Sequence, residues 1–180
     1  MKYLIMCEGA NEKKIIEILM KNQKLKIDYD DLVGRQVYQA RQIKNNPNVT
    51  TPLKIYGGKV EILRIGDKQS DKLVIPQDFK EQIEKVTLYC TLPELEVLLI
   101  ISENLYQEFI KVKTTKRAKV FAKENITYNK KRYKNDTKFY EEYYANDITK
   151  LIEAICRYRQ LNHSHSKEQH YLAELLKERT

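Results

Sequence analysis

The segment Lys2-Tyr3-Leu4-Ile5-Met6-Cys7-Glu8-Gly9-Ala10-Asn11-Glu12 decides the architecture. Its first six residues are β-rich and largely apolar, and the run stops at the polar turn Glu8-Gly9. Asn11 is placed to cap a helix over residues 12–22, where Ile15, Ile16, Leu19 and Met20 recur at helical spacing on one apolar face. Strand, short loop and helix in that order open a parallel α/β unit.

Residues 33–40 read as a second strand, and residues 41–58 as a loop with short ordered pieces, broken by Pro47, Pro52 and Gly57-Gly58. Residues 59–65 alternate polar and apolar, which predicts a strand ending at Gly66-Asp67. Ile75-Pro76 starts a short helix to about Glu84, residues 86–91 form the last strand, and Pro93 opens an apolar helix over 94–112. No segment from Lys113 onward reads as a strand. Residues 136–161 read as one long helix with Phe139, Tyr143, Ile148, Leu151, Ile152 and Ile155 along one side, and 167–178 as a short C-terminal helix. The expected fold class is α/β: a Rossmann-like, mostly parallel sheet flanked by helices in residues 1–112. Residues 113–180 form a basic, helical C-terminal extension packed on it.

A chain of 180 residues, 42% hydrophobic and 32% charged, is a folded protein with a core of its own. Its longest apolar run, Val97 to Ile101, is too short for a membrane span or an export signal, so a soluble cytoplasmic protein is expected. Cys7, Cys90 and Cys156 are too scattered for a disulfide framework and read as small, reduced, mostly buried side chains. His163, His165 and His170 lie in a polar tail and read as solvated linker.

Ligands collect at the carboxyl ends of strands in a parallel sheet. Glu8 follows the first strand, Asp67 the one over 59–65, and Glu96 lies just past the last; Asp71 is close enough to Asp67 to swing in. Carboxylates meeting on one edge repel unless a cation lies between them, and Mg²⁺, which takes oxygen ligands and substrate phosphates, suits such a place. Glu94 reads differently. Thr91-Leu92-Pro93-Glu94 has capping-box spacing, with Glu94 reaching back to Thr91. On a helix Glu96 would then point away from Glu94.

Three segments carry a resemblance. Leu4-Ile5-Met6-Cys7-Glu8-Gly9-Ala10-Asn11-Glu12 resembles the first motif of the Toprim domain, a strand ending in Glu-Gly before a helix. Val60-Glu61-Ile62-Leu63-Arg64-Ile65-Gly66-Asp67 resembles the strand carrying the second. Pro93-Glu94-Leu95-Glu96-Val97-Leu98-Leu99 is similar to a segment of small Toprim-like families related to the overcoming-lysogenization-defect nucleases. The usual Asp-x-Asp of the second motif is here Asp67-Lys68-Gln69-Ser70-Asp71, with its second acid displaced by two residues. The resemblance covers roughly residues 2–110. It implies a Toprim/Rossmann-like sheet and Mg²⁺- or Mn²⁺-dependent hydrolysis of phosphodiester bonds in RNA or DNA, in a phage-defence or RNA-processing role. Glu8, Asp67 and Asp71 would be catalytic, and Glu8, Asp67, Asp71 and Glu96 would bind the metal. The alternative is a degenerate Toprim-like module that binds nucleic acid or a partner protein, such as an ATPase subunit, without cleaving.

The chain's net charge of +8 is concentrated in one stretch. Between Lys111 and Lys134 ten cations stand against Glu124 alone, leaving the rest of the chain at −1. Lys111, Lys113, Lys116, Arg117, Lys119, Lys130, Lys131, Arg132 and Lys134 are the expected nucleic-acid contacts, with Lys123 among them in sequence. Tyr128 and Tyr133 interleave with the charge and are candidates for base stacking, as are Tyr140 and Tyr144; Tyr143 shares a face with Phe139 and reads as core.

Overall fold

A computed structural model describes residues 1–67, 72–163 and 165–178. The opening segment forms β1 (Lys2–Cys7) and α1 (Ala10–Lys21). The next strand, β2 (Tyr38–Gln39), is shorter than its sequence implies, because Val33–Arg35 turns as a 3₁₀ helix with Gly34 at φ 67°. The stretch read as loop contains α2 (Pro47–Tyr56), with Pro47 in its first turn, where its missing N–H costs no helical bond. Then follow β3 (Val60–Gly66) and β4 (Ile83–Cys90); among the described residues between them only Gln77–Phe79 is helical, as one 3₁₀ turn.

The five-stranded sheet has the order β2-β1-β3-β4-β7, where β7 is Gln169–Tyr171, and every pairing is parallel. The chain leaves β1 to one side for β2, then crosses back to the other side for β3. Adjacent connections therefore cover opposite faces. Ile5 and Cys7 of β1 pack with Ile15, Ile16 and Leu19 of α1, whereas Leu4 and Met6 pack with Val49 and Leu53 of α2. The period-two alternation of a strand supplies both cores at once. The gap between β1 and β3 is the topological switch point, where the connections diverge and leave a crevice at the carboxyl ends of the strands.

The chain after β4 departs from its sequence reading in four places. The apolar helix after Pro93 is two helices, α3 (Val97–Ser102) and α4 (Tyr106–Val112), separated at Asn104 with φ 60°. After α5 (Ala118–Asn125), the basic stretch contains a hairpin of β5 (Thr127–Tyr128) and β6 (Lys131–Arg132), whose turn residues Asn129 and Lys130 both have positive φ. The long helix is α6 (Thr137–Tyr144) and α7 (Ile148–Leu161); the Asp147 carboxylate caps α7 by accepting from the N–H groups of Thr149 and Lys150. The expected C-terminal helix is replaced by β7 (Gln169–Tyr171), which joins the sheet beside β4, and a 3₁₀ turn over Leu172–Leu175.

The last histidines are structural rather than solvated. His165 stacks on Tyr171 with ring centroids 3.8 Å apart and hydrogen bonds to Tyr158 Oη at 2.8 Å, while His170 meets Glu174 at 2.7 Å. Only His163 is exposed. Cys7 and Cys90 are buried and Cys156 half-buried, and none is in a disulfide. Among the described residues no helix is long and apolar enough to cross a membrane.

α1 packs on α6 and α3 on α7, so the segment after residue 113 shares one hydrophobic core with the sheet. Asp147→Ala should lower the unfolding free energy by about 1 kcal/mol, the usual cost of an N-cap, read as a reduced midpoint in urea with unchanged slope.

Candidate functional site

Cys7 pairs with Ile65 in the β1–β3 register, and the Glu8 N–H donates to the Ile65 carbonyl at 2.8 Å. Glu8 and Asp67 thus leave adjacent parallel strands at the same end, beside the switch point. Asp67 lines a cavity of about 350 Å³ together with Gly9, Asn11, Glu12, Glu94, Glu96, Arg117, Lys119 and Asn135. Glu8 is adjacent, close enough to raise the Asp67 pKa, and pairs with Arg41 at 3.2 Å. Asp71 and Lys68 lie outside the described residues.

Glu12 is a member of this site that sequence reasoning missed. It is only 8% exposed, although it belongs to the first turn of α1. Gly9, not Asn11, is the N-cap residue, and the Glu12 carboxylate folds back over it. A Cβ on Gly9 would lie 2.5 Å from Glu12 Oε2, so any other residue there would push the Glu12 carboxylate off the turn. The signal available was the Glu8-Gly9-Ala10-Asn11-Glu12 spacing, which brings two acids to one end of a helix across a tight turn. Asn11 contacts Asn135 at 3.0 Å instead of capping.

Glu94 is a cap, but of a different helix from the one its spacing implies. Its carboxylate accepts from the Lys119 N–H at the start of α5 at 2.8 Å and pairs with the Arg117 guanidinium. A carboxylate at a helix N-terminus satisfies orphan N–H groups and the helix dipole. Nor do Glu94 and Glu96 diverge. The helix begins only at Val97, and in the irregular segment before it both side chains reach the same cavity. That segment is clamped from α7, where Tyr158 Oη accepts from the Leu92 N–H at 2.6 Å and Asn162 donates to the Leu92 carbonyl at 3.1 Å.

Glu96 is 5% exposed. Tyr133 Oη donates to its Oε1 at 2.9 Å. The Asn135 amide, with its oxygen 2.7 Å from Lys119 Nζ, places its nitrogen 2.9 Å from the same Glu96 oxygen. Arg117 and Lys119, expected on a nucleic-acid surface, therefore belong to the wall of the acidic cavity.

The electrostatics follow from this crowding. Burial pushes the Asp67 carboxyl up to about 8, reinforced by Glu12, Glu96, Glu94 and Glu8. Among the described residues, Asp67 Oδ1 is buried without a hydrogen-bond partner. Burial also raises Glu12, reinforced by Glu8 and Glu96 and opposed by its own and the Gly9 N–H; burial raises Glu96, opposed by its own N–H and the Tyr133 hydroxyl. The donors are hard carboxylate oxygens, the type Mg²⁺ and Mn²⁺ take, and a buried acceptor-only oxygen without a donor is a place for a cation. By donor chemistry the residues fit such an ion. Among the described residues no three His, Cys, Asp or Glu side chains are already arranged to hold a metal ion.

Of the basic residues, Lys111, Lys113, Arg117, Lys123, Lys130, Arg132 and Lys134 are exposed. Lys116 pairs with Glu124, and the exposed Lys131 with Glu142 at 3.1 Å. The tyrosines are not a stacking surface: Tyr133, Tyr140, Tyr143 and Tyr144 are at most 2% exposed, and the half-buried Tyr128 sits edge-on to Tyr143.

The raised Asp67 pKa makes stability depend on pH with a definite sign. An acid whose folded pKa exceeds its unfolded value binds more protons when folded. Its contribution is full below the ordinary value of 3.8 and is lost as pH rises through about 8. In chelator, melting temperature should fall between pH 5 and pH 8.5, and Asp67→Asn should flatten that fall and melt above the parent at the alkaline end. A variant with the parent's pH profile would remove Asp67 as the source.

Compared with known protein families, characterised proteins and solved structures, the chain matches none.

Proposed function

We propose that this chain is a divalent-metal-dependent phosphodiesterase acting on nucleic acid, of the Toprim-like kind that its first two motifs resemble. The observation that carries the reading is the gathering of Glu8, Glu12, Asp67 and Glu96 at the switch-point crevice, with one buried Asp67 oxygen left without a partner among the described residues. In this reading Glu8, Asp67 and Glu96 would hold Mg²⁺ or Mn²⁺. The ion, when bound, polarises a phosphate oxygen and acidifies a water at neutral pH.

The chain's own residues do the rest. Lys119 and Arg117 bring positive charge to the cavity wall, where a phosphate entering an acidic crevice has to be met by cations. Glu12, biased toward its protonated form by burial, is the candidate to hold or move a proton there. Outside the cavity, Lys130, Lys131, Arg132 and Lys134 on and after the hairpin present cations to a polyanion. With the tyrosines internal, contact there is with phosphates rather than by base stacking.

A second reading, nucleic-acid binding without cleavage, is favoured by the Arg117–Glu94 ion pair, which already neutralises one acid of the cavity. One assay separates the two. Purified protein is incubated with single- and double-stranded RNA and DNA in Mg²⁺ or Mn²⁺, alongside Glu8→Gln and Asp67→Asn. Cleavage by the parent, lowered about 100-fold or more in either variant with binding retained, is the expected result. Binding by the parent with no cleavage of any substrate would establish the second reading.

Replacing Lys130, Lys131 and Arg132 together by Ala should reduce the slope of log affinity against log salt by about 2 to 3. An unchanged slope would show that the hairpin does not touch phosphates.

A further inference from the structure

We propose that Tyr133 is a positioning residue for this site: its buried hydroxyl, together with the Asn135 amide, fixes the Glu96 carboxylate toward the cavity it shares with Asp67, as a ligand to a divalent cation. The inference rests on the metal-dependent reading of that cavity.

Hydrogen-bond direction supports it. A carboxylate only accepts, so the single Tyr133 proton is committed to Glu96 Oε1 at 2.9 Å. Tyr140 Oη, 3.0 Å from Tyr133 Oη, must then donate to the Tyr133 oxygen, which makes a one-way relay. The Asn135 amide meets the same Glu96 oxygen at 2.9 Å, and its carbonyl is held by Lys119 at 2.7 Å, which sets which way the amide faces. The Glu96 N–H is a further donor to the carboxylate. A glutamate side chain has three rotatable bonds, and donors from separate segments restrict it to one orientation.

Placement within the chain supports it too. Tyr133 and Asn135 alternate with the exposed Arg132 and Lys134, so one short segment turns donors inward and cations outward. Asn135 adopts φ 59°, a left-handed conformation that asparagine and glycine tolerate. Packing alone does not call for the hydroxyl. The Tyr133 ring sits edge-on to Phe139 at 5.1 Å and to Tyr140 at 5.8 Å, contacts a phenylalanine would keep. Hydrogen bonds to a metal-binding side chain typically tune affinity by about 10- to 100-fold.

The test is Mn²⁺ binding, by calorimetry and thermal shift, to the full chain and three variants. Tyr133→Phe should bind Mn²⁺ about 10-fold more weakly. Asn135→Gly, which preserves the left-handed backbone, should also weaken binding, and it decides alone if Tyr133→Phe does not fold. Tyr140→Phe removes a buried hydroxyl without removing a donor to Glu96, and should stay within about twofold of the parent, which separates positioning from general loss of stability. Parent-like Mn²⁺ affinity in both Tyr133→Phe and Asn135→Gly would overturn the positioning role and leave the site reading intact. A parent that binds no Mn²⁺ would overturn the metal reading and this role with it.

Discussion

Carboxylates gathered in one half-buried crevice repel one another, and each loses hydration as it is buried. Most of what surrounds the switch point can be understood as holding them there against that cost. Parallel pairing of β1 with β3 sets Glu8 and Asp67 side by side, since two adjacent strands in register must release the chain at the same end. Gly9 lets the Glu12 carboxylate lie back over the turn. The remaining supports come from beyond residue 113: Tyr158 and Asn162 clamp the segment that carries Glu94 and Glu96, and Arg117, Lys119, Tyr133 and Asn135 answer their charge. Burial of Asp67, reinforced by the neighbouring carboxylates, appears as its raised pKa. Burying an acid without enough partners shifts its protonation before it breaks the fold.

The sheet was legible wherever a side-chain period was long enough to read. β1 with α1 and β3 announce themselves by apolar alternation followed by a polar stop, and those stops are Glu8 and Asp67. β7 was not legible, because three half-buried residues carry no period, and their strand character comes from the free edge of β4. The break between α6 and α7 had a local signal in Asp147, a good N-cap residue, which the continuous aromatic and aliphatic stripe on either side obscured. Glu12 was missed and Glu94 assigned to the wrong helix for one reason. Local spacing describes what a residue does for its own helix, whereas the Glu12 carboxylate is part of a tertiary cavity and Glu94 caps a helix that begins at Ala118. The tyrosines interleaved with lysine were ambiguous in one dimension. The hairpin turn at Asn129 and Lys130 lacks the Asn-Gly pair that would have marked it, and without the turn the inward side of the segment could not be assigned.

The two charge features, a crevice of acids and a stretch of cations, gain meaning from each other. An acidic crevice alone excludes a polyanion. The exposed lysines and arginines alone would hold nucleic acid without bringing any bond to a reactive place. Their fields reach about 10 Å at ordinary salt, far enough to draw a phosphate backbone to the surface but not to override several like charges in contact with it. The short-range part falls to the cations within the wall, Arg117 and Lys119, and to whatever cation the carboxylates take up. The segment from Arg117 to Asn135 contributes to both ranges, with some side chains inside the cavity and some in solvent. Its local alternation therefore matters more to the proposed chemistry than its total charge.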